Sequence, residues 1–203
     1  MIAIRAIAFV VCVFACVAPA SSQTRGTKAL VRFAGANAAT VEVDVVAPLG
    51  RAFGEGELRD FLAAVRIESG EPYVRRGDFT AYRQNKKLGV ELTFTYADAM
   101  KVRLREYAPD ALVLTNIRFY GPKSRTHAEF IGDLPFGLRF GDSLRMLTEK
   151  LGPPDARVSD LGVVRWDTRH YALFAVLDGD GTMIRFALQT PVVESRKPGF
   201  EAR

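Results

Sequence analysis

The chain has 203 residues, 48% of them apolar and 25% charged, with two cysteines and a formal net charge of +5. These are ordinary values for a globular chain long enough for one domain or two small ones. The charge is a mild bias with both signs well mixed, and the absence of a dense basic stripe argues against a nucleic-acid partner.

Met1–Arg5 carries one positive charge, Ala6–Val17 is almost uninterrupted apolar sequence, and Ala18-Pro19-Ala20 supplies a small-x-small pattern. This order predicts a secretory signal peptide over residues 1–20, cleaved after Ala20, and so a periplasmic or secreted protein. The apolar run is shorter than the roughly 20 residues a membrane-spanning helix needs. Val13-Phe14-Ala15-Cys16 loosely matches a lipobox, the alternative in which Cys16 carries a lipid anchor, although Phe14 is unusual there. Cys12 and Cys16 both fall in the leader, so the mature chain from Ser21 has no disulfide and must be held by its own core.

Residues 21–38 read as a flexible, polar N-terminal segment containing a short apolar run, Ala29–Phe33. Thr40–Val45 alternates with period two and predicts a strand with one wet face. Leu58, Phe61, Leu62 and Val65 recur at helical spacing within 55–66, with Glu55, Glu57 and Asp60 towards the start, where the helix dipole favours acids. Phe79–Arg83 and Leu88–Thr95 predict a hairpin. Ala97–Tyr107 fits either period, and its composition favours helix. Ala111–Tyr120 predicts a strand, and Gly121–His127 a polar connector. Asp142–Leu151 predicts a second helix, capped by Asp142 or Ser143 and stopped by Gly152-Pro153-Pro154. Val163–Trp166, Tyr171–Leu177 and Met183–Leu188 predict three strands, the last two joined by the turn sequence Asp178-Gly179-Asp180-Gly181. Residues 191–203 read as a mobile tail.

One pattern occurs twice. Pro48, Gly50, Phe53 and Gly54 recur as Pro135, Gly137, Phe140 and Gly141, an offset of 87. The following helices align at 86, with Leu58, Phe61 and Val65 matched by Leu144, Leu147 and Leu151, and each unit closes on Ile-Arg-Phe, at 117–119 and 184–186. Proline fixes φ before the turn, glycine permits φ values other residues avoid, and the phenylalanine is suited to fill the space between helix and sheet. The predicted architecture is α+β: two tandem helix-plus-antiparallel-sheet units, over 39–121 and 128–190, each burying one sheet face under its helix and leaving the other open.

Phe140-Gly141-Asp142-Ser143-Leu144 through Leu151-Gly152-Pro153-Pro154-Asp155 resembles the signature of the SmpA/OmlA (BamE-like) superfamily. That resemblance implies a small α+β domain of the bacterial envelope, a fold shared with the tandem beta-lactamase inhibitor protein, and a protein-binding role. It covers about sixteen residues of the second unit, and the first unit lacks the Leu-Gly-x-Pro ending. The fold is therefore the part that transfers, and the partner is not.

The mature chain has two histidines, His127 and His170, and none of the HExxH, GxSxG, Walker or zinc-type patterns. No cofactor, metal site or catalytic residue is predicted. Asp167 with His170 offers the alternative of a secreted hydrolase, against which stands the absence of an activated nucleophile. Asp178–Gly181 lacks the remaining ligands of a calcium loop and reads as a hairpin turn. Trp166 with Arg165, Arg169, Tyr171 and Arg185 forms the candidate partner-binding set, because Trp, Tyr and Arg dominate protein interfaces; the competing reading places Trp166 in the core. Lys101, Arg105, Lys123 and Arg125 read as solvated surface. The function expected is non-enzymatic binding of another envelope or secreted protein through an open sheet face, in an inhibitor, immunity-type or assembly role. A structural lipoprotein anchored at Cys16 is the remaining alternative.

Overall fold

The computed structural model describes residues 28–35 and 39–191. The expected signal peptide, with Cys12 and Cys16, and the expected tail from residue 192 lie outside the described residues. Among the described residues ten strands occur: β1 Leu30–Ala34, β2 Thr40–Asp44, β3 Thr80–Asn85, β4 Val90–Tyr96, β5 Leu112–Tyr120, β6 Gly132–Asp133, β7 Ala156–Val158, β8 Val163–Asp167, β9 Ala172–Leu177 and β10 Met183–Gln189. The helices are α1, Gly56–Ala64, and α2, Leu144–Leu151. Seven strands form one antiparallel sheet in the order β3-β4-β5-β10-β9-β8-β7, and the others form a small antiparallel sheet, β2-β1-β6.

Period-two alternation decides which side of the large sheet is buried. One cross-strand row runs Val90, Phe119, Phe186, Ala175, Val164, and the next runs Leu92, Ile117, Leu188, Leu173, Trp166. Every residue in both rows is buried. They belong to the same cluster as Leu58, Phe61 and Leu62 of α1, Leu147 and Leu151 of α2, and Val31 and Phe33 of β1. Phe33 meets Phe130, and Phe130 meets Phe119, both edge-on at 5.8 and 4.9 Å between centroids, so the small sheet is tied to the middle of the large one.

The middle of the large sheet is where the two Ile-Arg-Phe triplets meet. Phe119 and Phe186 are direct cross-strand partners, their rings stacked at 6.3 Å and 24°. β5 and β10 pair only over residues 116–120 and 185–189, so the start of each strand overhangs its neighbour. Each overhang is filled by a Pro-x-Gly-x-x-Phe-Gly turn. Gly50 N donates to Leu114 O (2.8 Å), Leu114 N to Arg51 O (3.0 Å) and Phe53 N to Leu112 O (2.7 Å). At the other end Gly141 N donates to Met183 O (2.8 Å) and Met183 N to Asp142 O (2.9 Å).

The two turns share internal bonds at equivalent positions. Arg51 N bonds Pro48 O and Leu138 N bonds Pro135 O; Glu55 N bonds Ala52 O and Asp142 N bonds Arg139 O. The Glu55 carboxylate accepts from Ala52 N (3.1 Å), as that of Asp142 does from Arg139 N (2.8 Å). All four glycines sit at positive φ, 75° and 94° in the first turn, 66° and 89° in the second. Phe53 packs edge-on against Phe94, and Phe140 lies over Gly121, where a Cβ would stand 2.5 Å from its ring.

Three expectations are corrected. Part of the expected flexible segment, Leu30–Ala34, is the central strand of the small sheet, because Val31 and Phe33 bury one face of it. Ala97–Tyr107 is not a helix: a single 3-10 turn at Ala97–Ala99 gives way to irregular chain. Its apolar residues clamp the first Pro-Gly turn instead, with Tyr107 donating to Gly50 O (2.8 Å) and Leu104 packed where a Gly50 Cβ would stand. Nor does the second segment hold only the three strands expected of it within 163–188. The second contributes a fourth strand, β7, and β6 from residues 132–133 pairs with β1 near the start of the chain.

Candidate interaction face

The alternate residues of each strand point to the opposite side of the large sheet, and among the described residues the helices pack on the first side. Two rows cross it. The first is Gln84, Glu91, Arg118, Ala187, Phe174, Arg165, Ala156, and beside it lies Tyr120, Arg185, Val176, Val163, Val158. The face therefore divides by chemistry. Over β3–β5 it is a polar network: Arg118 is paired with Glu91, which also accepts from Gln84 Nε2 (2.8 Å), and Thr95 and Thr115 share a hydroxyl bond of 2.8 Å. Over β7–β9 it is largely apolar, with Phe174, Val176 and Val163 half-buried and Val158 exposed, and Arg165 set beside Phe174. Arg185 stands at the junction, between Tyr120 and Val176, with no ion pair among the described residues.

The connector expected at 121–127 closes one corner. His127 lies flat on Tyr120, 3.9 Å between ring centres and 2° from parallel. Its Nδ1 bonds Thr126 Oγ1 (2.9 Å), while its Nε2 is buried with no hydrogen-bond partner among the described residues. Burial lowers its pKa, and Lys86 and Arg118 push the same way against Glu91. Lys123 bridges to Asp178 at 2.6 Å; with the Thr182 amide this holds the Asp178 carboxyl at about 2. The other Asp178 oxygen caps the Asp180 and Thr182 amides (3.1 and 3.0 Å), so Asp178–Gly181 is a side-chain-braced hairpin turn. Among the described residues no cluster of acids, histidines and cysteines is arranged to hold a metal, and no helix is long and apolar enough to cross a membrane.

The candidate partner-binding set is split by the sheet. Arg165 and Arg185 are on the open face, separated by β9, and Arg169 is exposed in the turn at its end. Trp166 is a correction: it points to the covered face, is 0% exposed, and donates from Nε1 to Gly152 O at the end of α2 (2.9 Å). Tyr171 is a second correction. It is 1% exposed, and its backbone is bound twice by the Thr168 hydroxyl. Neighbours in a strand must face opposite ways, so Arg165 and Trp166 cannot share a surface. The residues that do share it with Arg185, namely Arg118, Tyr120, Phe174 and Val176, carry a sequence signal only as the out-of-phase positions of their strands.

The pair Asp167 and His170 is not assembled as a hydrolytic dyad. The Asp167 carboxylate faces Arg165 Nε at 3.1 Å; burial raises its pKa, and the arginine opposes this. The His170 ring is exposed and makes no hydrogen bond among the described residues. Of the basic surface set, Arg105 is paired with Glu55 and lies 5.1 Å from the Tyr107 ring centre.

No family model matches the chain, and no curated protein matches it. Among solved structures it is similar to a DUF4309 family protein, YjgB, from Bacillus subtilis subsp. subtilis str. 168, at 21% identity and a TM-score of 0.35, over 64% of this chain and 76% of that one. A likeness at that level carries no functional argument.

Proposed function

We propose that this is a non-enzymatic, exported protein of the bacterial cell envelope that binds another protein on the open face of its large sheet. The observation that carries the reading is the composition of that face: an unpaired Arg185 set between Tyr120 and the apolar strip Phe174, Val176 and Val163. Aromatic residues and arginine around a partly apolar centre are what protein interfaces enrich, and a polar network beside them supplies orientation. The export reading rests on the leader sequence before Ser21.

The proposal includes its architecture: two tandem α+β units of BamE-like kind, joined at their last strands. Its supports are the matched turn bonds, the equivalent glycines, and the pairing of Phe119 with Phe186. Such a join fuses two small sheets into one broad face, which a single unit could not offer. The recognising groups are Arg185, Arg165, Phe174 and Val176, and Trp166 and Tyr171 serve as core. The test is the affinity of Arg185→Glu/Phe174→Ser for a partner purified from the native envelope. A loss of roughly tenfold or more, with an unchanged far-UV spectrum, is expected; equal affinity removes the open face from the account.

A further inference from the structure

A concave surface lies away from the open sheet face. A groove of about 710 Å³, open along one side, runs between β1, the second Pro-Gly turn and the end of α2. Its floor is Leu134, Leu138 and Leu151, all buried, and Leu30 stands beside them 43% exposed. Four cations line it, but two are already engaged: Arg32 pairs with Glu42, and Lys150 bonds Asp142 (2.7 Å) and Gly137 O (2.8 Å). The one carboxylate in the lining, Asp133, lies across β1–β6 from Arg32. Lys28 and Arg139 remain without a side-chain partner among the described residues.

The turn that walls the groove differs from its counterpart in the bonds that anchor it to its strand and in the backbone of one apolar residue. Phe136 sits at φ 62°, a left-handed conformation that is costly for a bulky side chain, whereas the equivalent Leu49 is not at positive φ. Strain kept in one of two turns that share their internal bonds points to a local task for that turn. Phe136 lines the groove.

We infer that this groove binds a short extended segment of a partner protein, one carrying an acidic side chain beside an apolar one. The two unpaired cations select the carboxylate, and the leucine floor selects the apolar group. An open trough suits a chain segment that buries one side and leaves the other to solvent, whereas a small ligand buries most of its surface. The site is separate from the open sheet face and does not rest on it.

The probe is a fluorescein-labelled, end-capped hexapeptide of alternating leucine and glutamate, titrated with the mature protein by fluorescence anisotropy. Saturable binding is expected, weakened roughly tenfold or more by Lys28→Glu/Arg139→Glu and by raising salt from about 0.05 to about 0.5 M. Phe136→Gly relieves the left-handed backbone but removes a side chain packed against the core, so it should leave the far-UV spectrum unchanged and weaken binding. No saturable binding overturns the inference, as does equal affinity for a leucine–lysine hexapeptide or for the double variant. Binding that appears only after deletion of residues 21–27 assigns the groove to this chain's own N-terminal segment. Binding lost as the protein is concentrated assigns it to a second copy. Either result also overturns the inference.

Discussion

Replacing Trp166 by phenylalanine separates a core role from an interface role. The chain has one tryptophan, and its side chain lies in the buried row beside Leu173. Phenylalanine keeps a ring in that row but removes the Nε1 donor to Gly152 O and part of the indole. Removing the donor leaves a carbonyl unsatisfied at a partly buried helix end, which costs about 1–2 kcal/mol in all. The two ring carbons lost with it add about 2 kcal/mol, at about 0.8 each. The sum is about 3–4 kcal/mol, a large part of the stability of an ordinary domain. At about 2–4 °C per kcal/mol for a chain of this size, the melting temperature should fall by about 6–16 °C, read by far-UV circular dichroism. The native protein should also show blue-shifted emission that iodide does not quench. A fall of less than about 2 °C with partner binding lost would refute the reasoning, because it would return Trp166 to the surface.

Gly121→Ala places a Cβ 2.5 Å from the Phe140 ring and 2.8 Å from Ile184 O, so a destabilisation of about 1–3 kcal/mol is expected in urea. Burial lowers the His127 pKa, so below about pH 6.5 the folded state binds fewer protons than the unfolded chain and stability falls with pH. The urea midpoint should therefore decline as pH drops through 6.5, the ordinary value, and His127→Phe, which keeps the stack on Tyr120, should flatten that decline. Mass spectrometry of the protein from its native envelope should give an N-terminus at Ser21; a lipid-modified Cys16 contradicts the leader reading.

What the sequence disclosed was what is local. Helices α1 and α2, the β3–β4 and β9–β10 hairpins and both Pro-Gly turns depend on residues within a few positions of one another, so their caps, periods and glycines are written in place. The small sheet is different. Phe33 pairs with Gly132 across almost the whole first segment, and no short pattern announces a partner that far away. Ala97–Tyr107 has helical composition, but Leu104 and Tyr107 are used to hold the Gly50 turn, and tertiary contact overrides propensity. The true side of Trp166 does have a local signal, since period-two alternation along β8 sets it opposite Arg165. The same alternation, followed across β5, β10 and β9, finds Arg118, Arg185 and Phe174 together.

Photo-crosslinking in the native envelope from two positions distinguishes binding through the open face from binding elsewhere. A photoreactive phenylalanine analogue replaces Val176 on the open sheet face or, as a control, Arg59 on the exposed side of α1. Binding through the open face predicts a discrete protein adduct from position 176 that disappears when Arg185→Glu is added, and none from position 59. Adducts from position 59 alone, or an adduct at 176 indifferent to Arg185, would contradict it.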